Sequence, residues 1–176
     1  MKLRFCVLAL ALACVTTLVL APVTPAAPGG RSSSGSITTQ VTGTATDVGG
    51  TVGTLTGVLT ITGFDVVNGQ LAAVGTLTGT VTDALGNIIA SVTQAVTIPL
   101  QVSGSCTILH LDLGPISLNV LGLQVTTNEI IVDITAVSGP GNLVGNLLCA
   151  VTHLLDNPSG TLAGITNLLN TILGLL

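Results

Sequence analysis

Two pentapeptides, CTILH at 106–110 and CAVTH at 149–153, hold both histidines and two of the four cysteines of this 176-residue chain. Thiolate and imidazole are the donors of structural zinc, and a matched pair of Cys-x-x-x-His segments has the composition of a Cys2His2 centre. One zinc ion needs its four donors at about 2.0–2.3 Å in a tetrahedron. CAVTH can meet this on a helix, where residues four apart share a face. CTILH does not, because the alternation in ILHLDL reads as a strand. Along a strand, four residues at about 3.3 Å each set Cys106 and His110 about 13 Å apart. The expected chemistry is therefore a Cys106–Cys149 disulfide, with no metal. Cys6 and Cys14 fall in an N-terminal export signal, and an oxidising compartment pairs the two that remain.

A second group of side chains bears on catalysis and cation binding. His110 shares its strand face with Asp112, and a carboxylate beside an imidazole orients it for base or ligand work. Glu129 and Asp133 share a face on a nearby strand, so His110, Asp112, Glu129 and Asp133 form the one candidate cluster for a divalent cation or for acid–base chemistry. The plainer expectation is a solvated polar face opposite the core row Leu109, Leu111 and Leu113. There is no Gly-x-Ser-x-Gly elbow, phosphate loop or dinucleotide fingerprint, and Ser105 has no partnered base at a suitable spacing. The chain is expected to be no enzyme and to need no cofactor.

The elements that position these residues follow from periodicity. From Ile37 the pattern is period two. Leu55, Gly57, Leu59 and Ile61 fall on one face of TLTGVLTITGF, and Thr54, Thr56, Val58, Thr60 and Thr62 on the other. QLAAVGTLTGTVTD repeats this, with Leu71, Ala73, Leu77 and Val81 against Thr76, Thr78, Thr80 and Thr82. That is the mark of an antiparallel sheet with one buried and one threonine-covered face. VGTLTG recurs at 52–57 and 74–79, and Asp47, Asp65 and Asp83, each followed by glycine within a few residues, read as hairpin turns. Pro99 marks an edge or a bulge. After SGPG at 138–141 the period becomes helical, with stripes through Val144, Leu148, Val151 and Leu155 and, beyond NPSG, through Leu162, Ile165, Leu169 and Ile172. The expected fold is mainly β, an antiparallel sandwich or barrel-like meander of about seven or eight strands. Two C-terminal helices within 138–176 pack on the sheet rather than on a membrane.

The N-terminus sets the compartment. Lys2 and Arg4 precede the apolar run Phe5–Ala21 and the small-residue exit PVTPAAPGG, the layout of a cleaved secretory signal over 1–26. A flexible lead-in at 27–36 and a single domain at 37–176 follow, and the protein is expected to be extracellular. Beyond the signal, Arg31 is the one cation against seven carboxylates. Neither nucleic acid nor an anionic membrane surface is then an expected partner, since both are held by clustered positive charge. Phe64 is the one aromatic residue after the signal, which removes the rings that base-stacking surfaces and outer-membrane girdles use.

The stretch from Cys106 to Leu155 also resembles a group of small exported bacterial proteins of unknown activity. The shared pattern is Cys106, Ile108–Leu109, LDLGP, LGL and GPGNLVGNLLC ending at Cys149. The resemblance covers about the last third of the chain and implies export and paired cysteines. It assigns no chemistry, and His110 and His153 lie outside the pattern. The functional expectation is a secreted, non-enzymatic structural or interaction protein, whose partner is a protein, a second copy or an apolar small molecule. One alternative is a binder of a small apolar ligand or lipid, held inside a helix-capped sheet. Another is a threonine array that binds ice or a polymer, which needs long, in-register strands with little twist.

Overall fold

A computed structural model of the chain describes residues 35–176, apart from 48, 51, 121 and 158–160. The expected signal, most of the lead-in and part of NPSG lie outside those residues. Eight strands are formed: β1 (Ile37–Thr46), β2 (Val52–Val67), β3 (Gln70–Thr82), β4 (Ile88–Ser105), β5 (Ile108–Leu113), β6 (Ser117–Val120), β7 (Leu123–Thr127) and β8 (Ile130–Thr135). They are followed by α1 (Leu143–Asp156) and α2 (Leu162–Leu173). The strands pair antiparallel in the order β6-β7-β1-β2-β3-β4-β5-β8, a mainly β architecture in which the sheet curls into a half-barrel. β1 to β5 are a meander. The β6–β7 hairpin crosses to the far side to extend β1, and β8 returns to β5.

Alternation decides the two faces. Val41, Leu55, Leu77, Val92 and Ile98 are buried on the inside, while the threonines between them turn outward. The inner rows also carry Gly57, Gly75 and Gly79, in register with Val41, Val96 and Val92. A methyl group on Gly75 would run into the backbone carbonyl of Thr60, and one on Gly57 into that of Thr78. The strands come too close on the concave side to admit a Cβ there, which is why the sheet's glycines fall on its buried face.

The turns correct one expectation. Asp47 precedes the β1–β2 turn and Asp83 opens the β3–β4 turn, but Asp65 lies within β2. The β2–β3 reversal is made by Asn68 (φ 53°) and Gly69 (φ 76°), the Asn-Gly pair that a two-residue hairpin selects because both positions need positive φ. At the next turn, Asp83 accepts from the backbone N–H groups of Leu85 (2.9 Å) and Asn87 (2.8 Å) and from Asn87 Nδ2 (3.0 Å). The Asn87 side-chain amide, and then its N–H, hold the Asp83 carboxyl below the ordinary aspartate range.

The helices close the concave side. Leu148 and Val151 of α1 and Ile165, Leu169, Ile172 and Leu173 of α2 are buried in the same core as the strand interiors. Thr161 caps α2, its Oγ1 accepting from Gly164 N–H at 3.2 Å, one of the otherwise unmet donors of a helix start. No helix among the described residues is long and apolar enough to cross a membrane.

Candidate functional site

The structure separates the four residues that the sequence grouped. His110 and Asp133 are direct cross-strand partners in β5 and β8, and His110 Nδ1 lies 2.7 Å from Asp133 Oδ1. Asp112 keeps the same strand face, but its partners are Gln101 and Ile131. Glu129 sits just before β8, exposed. No four-residue cluster forms. The cross-strand row does place Ser103 of β4 opposite His110, giving the order Ser–His–Asp. Among the described residues no hydrogen bond joins Ser103 to the imidazole, and Ser103 and Asp133 are both exposed. A nucleophile needs a base within about 2.6–3.2 Å and donors aimed at the developing oxyanion.

Asp112 and Glu129 lie instead at a cleft of about 510 Å³. Pro99 lines the cleft, at the place where the β4 pairings change. The Pro99 carbonyl accepts from Gly114 N–H at 3.1 Å, and in a strand the nitrogen of a residue faces the same edge as its carbonyl. Lacking an N–H, Pro99 ends the β5 ladder there, so β5 begins pairing at Leu100. The β3 ladder ends at the same place, with Ala72 opposite Pro99. β4 thus changes neighbours at one residue, and a gap opens beside the β2–β3 turn. Its apolar lining comes from Leu71, Leu100 and Val102 of the sheet and Leu155, Leu162 and Ile165 of the helices. Gln70, Gln101, Asp112 and Glu129 supply the polar lining. Pro99 was legible as an edge or bulge signal. That a cleft with both apolar and polar walls would lie beside it was not, because this depends on where β3 and β5 both stop.

The cysteines are joined as expected, Cys106 to Cys149. One premise changes: Cys106 and Thr107 form the β4–β5 turn and are not part of the strand. Cys106 therefore leaves His110 behind and meets α1, where His153 joins it. The sulfurs of Cys106 and Cys149 and a ring nitrogen of His153 all lie within 4.8 Å of one another. Sequence spacing offered the pair Cys149–His153, but the third member required knowing that the turn docks on that helix face.

Comparison with known protein families, with characterised proteins and with solved structures found no match to this chain. What is established is the architecture, an eight-stranded antiparallel half-barrel closed by two helices, with a disulfide tying the β4–β5 turn to the first helix.

Proposed function

We propose that the protein acts outside the cytoplasm as a non-enzymatic binding domain whose cleft at Pro99 takes a small apolar molecule. The cleft carries this reading. Its volume of about 510 Å³ falls among ligand pockets of about 300–1,000 Å³, which combine apolar walls with a few polar groups that fix orientation. Six leucine, isoleucine and valine side chains provide the walls, and two carboxylates and two glutamines provide the polar groups. Export is supported by the signal-like N-terminus, by the resemblance to exported proteins and by the paired cysteines. The non-enzymatic reading is supported by the unconnected Ser103 and the exposed His110–Asp133 pair. Native mass spectrometry of the protein purified from the medium tests the proposal. Bound mass that organic solvent removes, and that Leu162→Trp abolishes by filling the cleft, is expected. A single bare-chain mass, together with alkyl-chain probe binding that Leu162→Trp leaves unchanged, would overturn it.

The outer face supports a second reading, attachment to a polymer. Registers align Ser117, Thr126, Thr44, Thr54 and Thr82 across five strands, and Thr42, Thr56, Thr80 and Ser91 across four. Hydroxyls then repeat about 4.8 Å across strands and about 6.7 Å along them. Because the sheet curls, a polyhydroxy polymer chain suits this surface better than an extended flat plane such as ice. Co-sedimentation with insoluble polysaccharide, lost in a Thr54→Val/Thr56→Val variant, is the expected result. Equal pull-down of the variant would exclude this reading.

A further inference from the structure

We infer that, once its disulfide is reduced, the protein binds one zinc ion through Cys106, Cys149 and His153. The three ligand atoms already lie within 4.8 Å of one another. Two thiolates and an imidazole are donors zinc favours, and three protein ligands leave its fourth tetrahedral position open to water. In a tetrahedral dithiolate the sulfurs stand about 3.8 Å apart, a separation within the 4.8 Å that already contains the three ligand atoms. Beside the S–S bond, the turn is anchored to the sheet and approaches α1 at Thr152. Thr107 O accepts from Ala136 N–H at 3.1 Å, which anchors the turn to the chain beyond β8. Thr152 Oγ1, buried on α1, lies 3.0 Å from the Cys149 carbonyl and 3.9 Å from Cys106 Sγ. His153 is exposed and stands in the last turn of α1, where the partial negative charge of a helix C-terminus favours a cation.

The chemistry balances in two steps. An external dithiol gives up two electrons and two protons to the disulfide and is itself oxidised, leaving two cysteine thiols. Zinc then displaces both thiol protons as it binds the thiolates, so binding tightens as pH rises. An external disulfide oxidant reverses the sequence: it takes two electrons from the two thiolates and is reduced to a dithiol, the S–S bond re-forms, and the zinc ion leaves to solvent. Disulfide and zinc are mutually exclusive occupants of one place, and the ion is retained only under reducing conditions.

The test uses the full exported protein, oxidised and after reduction with a phosphine, with cobalt as an optical stand-in for zinc. Expected is one cobalt per reduced chain, with thiolate-to-metal absorption that one equivalent of zinc abolishes, and none in the oxidised protein. Losing a group that merely orients a metal ligand weakens binding by about 10–100-fold, so His153→Ala should weaken zinc by at least that. At equal zinc, the melting temperature of the reduced wild type should also rise by mass action, and that of reduced His153→Ala should rise less. Because His153 is exposed, oxidised His153→Ala should melt with the oxidised wild type. No cobalt uptake, equal uptake by His153→Ala, or binding without a gain in melting temperature would overturn the inference, the last by placing the ligands in unfolded chain.

Discussion

The side-chain amide of Asn170 in α2 bonds in both directions to the backbone of Phe64 in β2, Oδ1 accepting from the N–H at 2.8 Å and Nδ2 donating to the carbonyl at 2.9 Å. β1 begins at Ile37, opposite Ile61, so among the described residues no strand lies on the β1 side of β2 beyond that point. Asn170 fills the place a neighbouring strand would take and fixes α2 across the half-barrel.

Removing that amide leaves a part-buried donor and acceptor unmatched, and each such loss costs about 1–3 kcal/mol. Asn170→Ala is expected to lose about 2–3 kcal/mol in urea unfolding. Asn167→Ala, exposed on the same helix, should stay within about 0.5 kcal/mol. Equal losses would mean the clamp contributes nothing beyond helix propensity.

The concave glycines give a second contrast. Gly75→Ala directs a methyl into the Thr60 carbonyl, which only backbone movement relieves, and should cost more than about 3 kcal/mol. Gly69→Ala meets nothing within 4 Å and carries only the left-handed backbone penalty of about 1–2 kcal/mol. Thermal melts of the two variants check the order, and Gly75→Ala melting with the wild type would contradict it.

Strand interiors and helix stripes were legible because burial writes itself into periodicity, and Leu55, Leu77, Leu148 and Leu169 are all core as that periodicity implies. The candidate site was legible only in part. The parity of His110 and Asp112 was right, but parity cannot say which strand lies alongside. That choice gave His110 to Asp133 and left Asp112 at the cleft. Within ISLNVLGLQVT the structure makes two strands, β6 and β7, with Gly122 (φ 91°) between them, a turn that the apolar residues on both sides conceal in the sequence. Likewise Cys106 was read as strand because its neighbours alternate, although the turn begins at it.

Asp83 supplies the pH dependence. Its folded carboxyl titrates below the ordinary value of 3.8, chiefly because of the Asn87 side chain. A depressed acid contributes stability that is present above the unfolded value and lost as pH falls through the folded one. Asn87→Ala should move the Asp83 titration back up toward the ordinary value, as followed by NMR, and shrink the stability lost on acidification below 3.8. An unchanged Asp83 titration would show that the backbone donors alone set it.

Calcium binding requires six to eight converging oxygens, whereas the acids here are divided between the His110–Asp133 pair and the cleft. Added calcium is expected to leave the melting temperature unchanged, with and without EDTA. A rise that Asp112→Asn or Asp133→Asn abolishes would show that the carboxylates converge in solution.

The disulfide and the histidine pair should separate cleanly in their effects. Cys106 and Cys149 close a loop with a sequence separation of 43, for which the chain-entropy account gives about 4 kcal/mol, and losing such a bridge from a small domain costs about 2–5 kcal/mol. The His110–Asp133 pair is 39% and 51% exposed, and pairs open to solvent contribute about 0–1 kcal/mol because water and salt screen them. The purified protein should therefore weigh two hydrogens less than its reduced form and show no free thiol when denatured. Reduction should lower unfolding stability by several kcal/mol, while His110→Ala should change it by less than about 1 kcal/mol. If His110→Ala proved the more costly, the β5–β8 face would be held by the His110–Asp133 hydrogen bond, and the disulfide would be incidental to the fold.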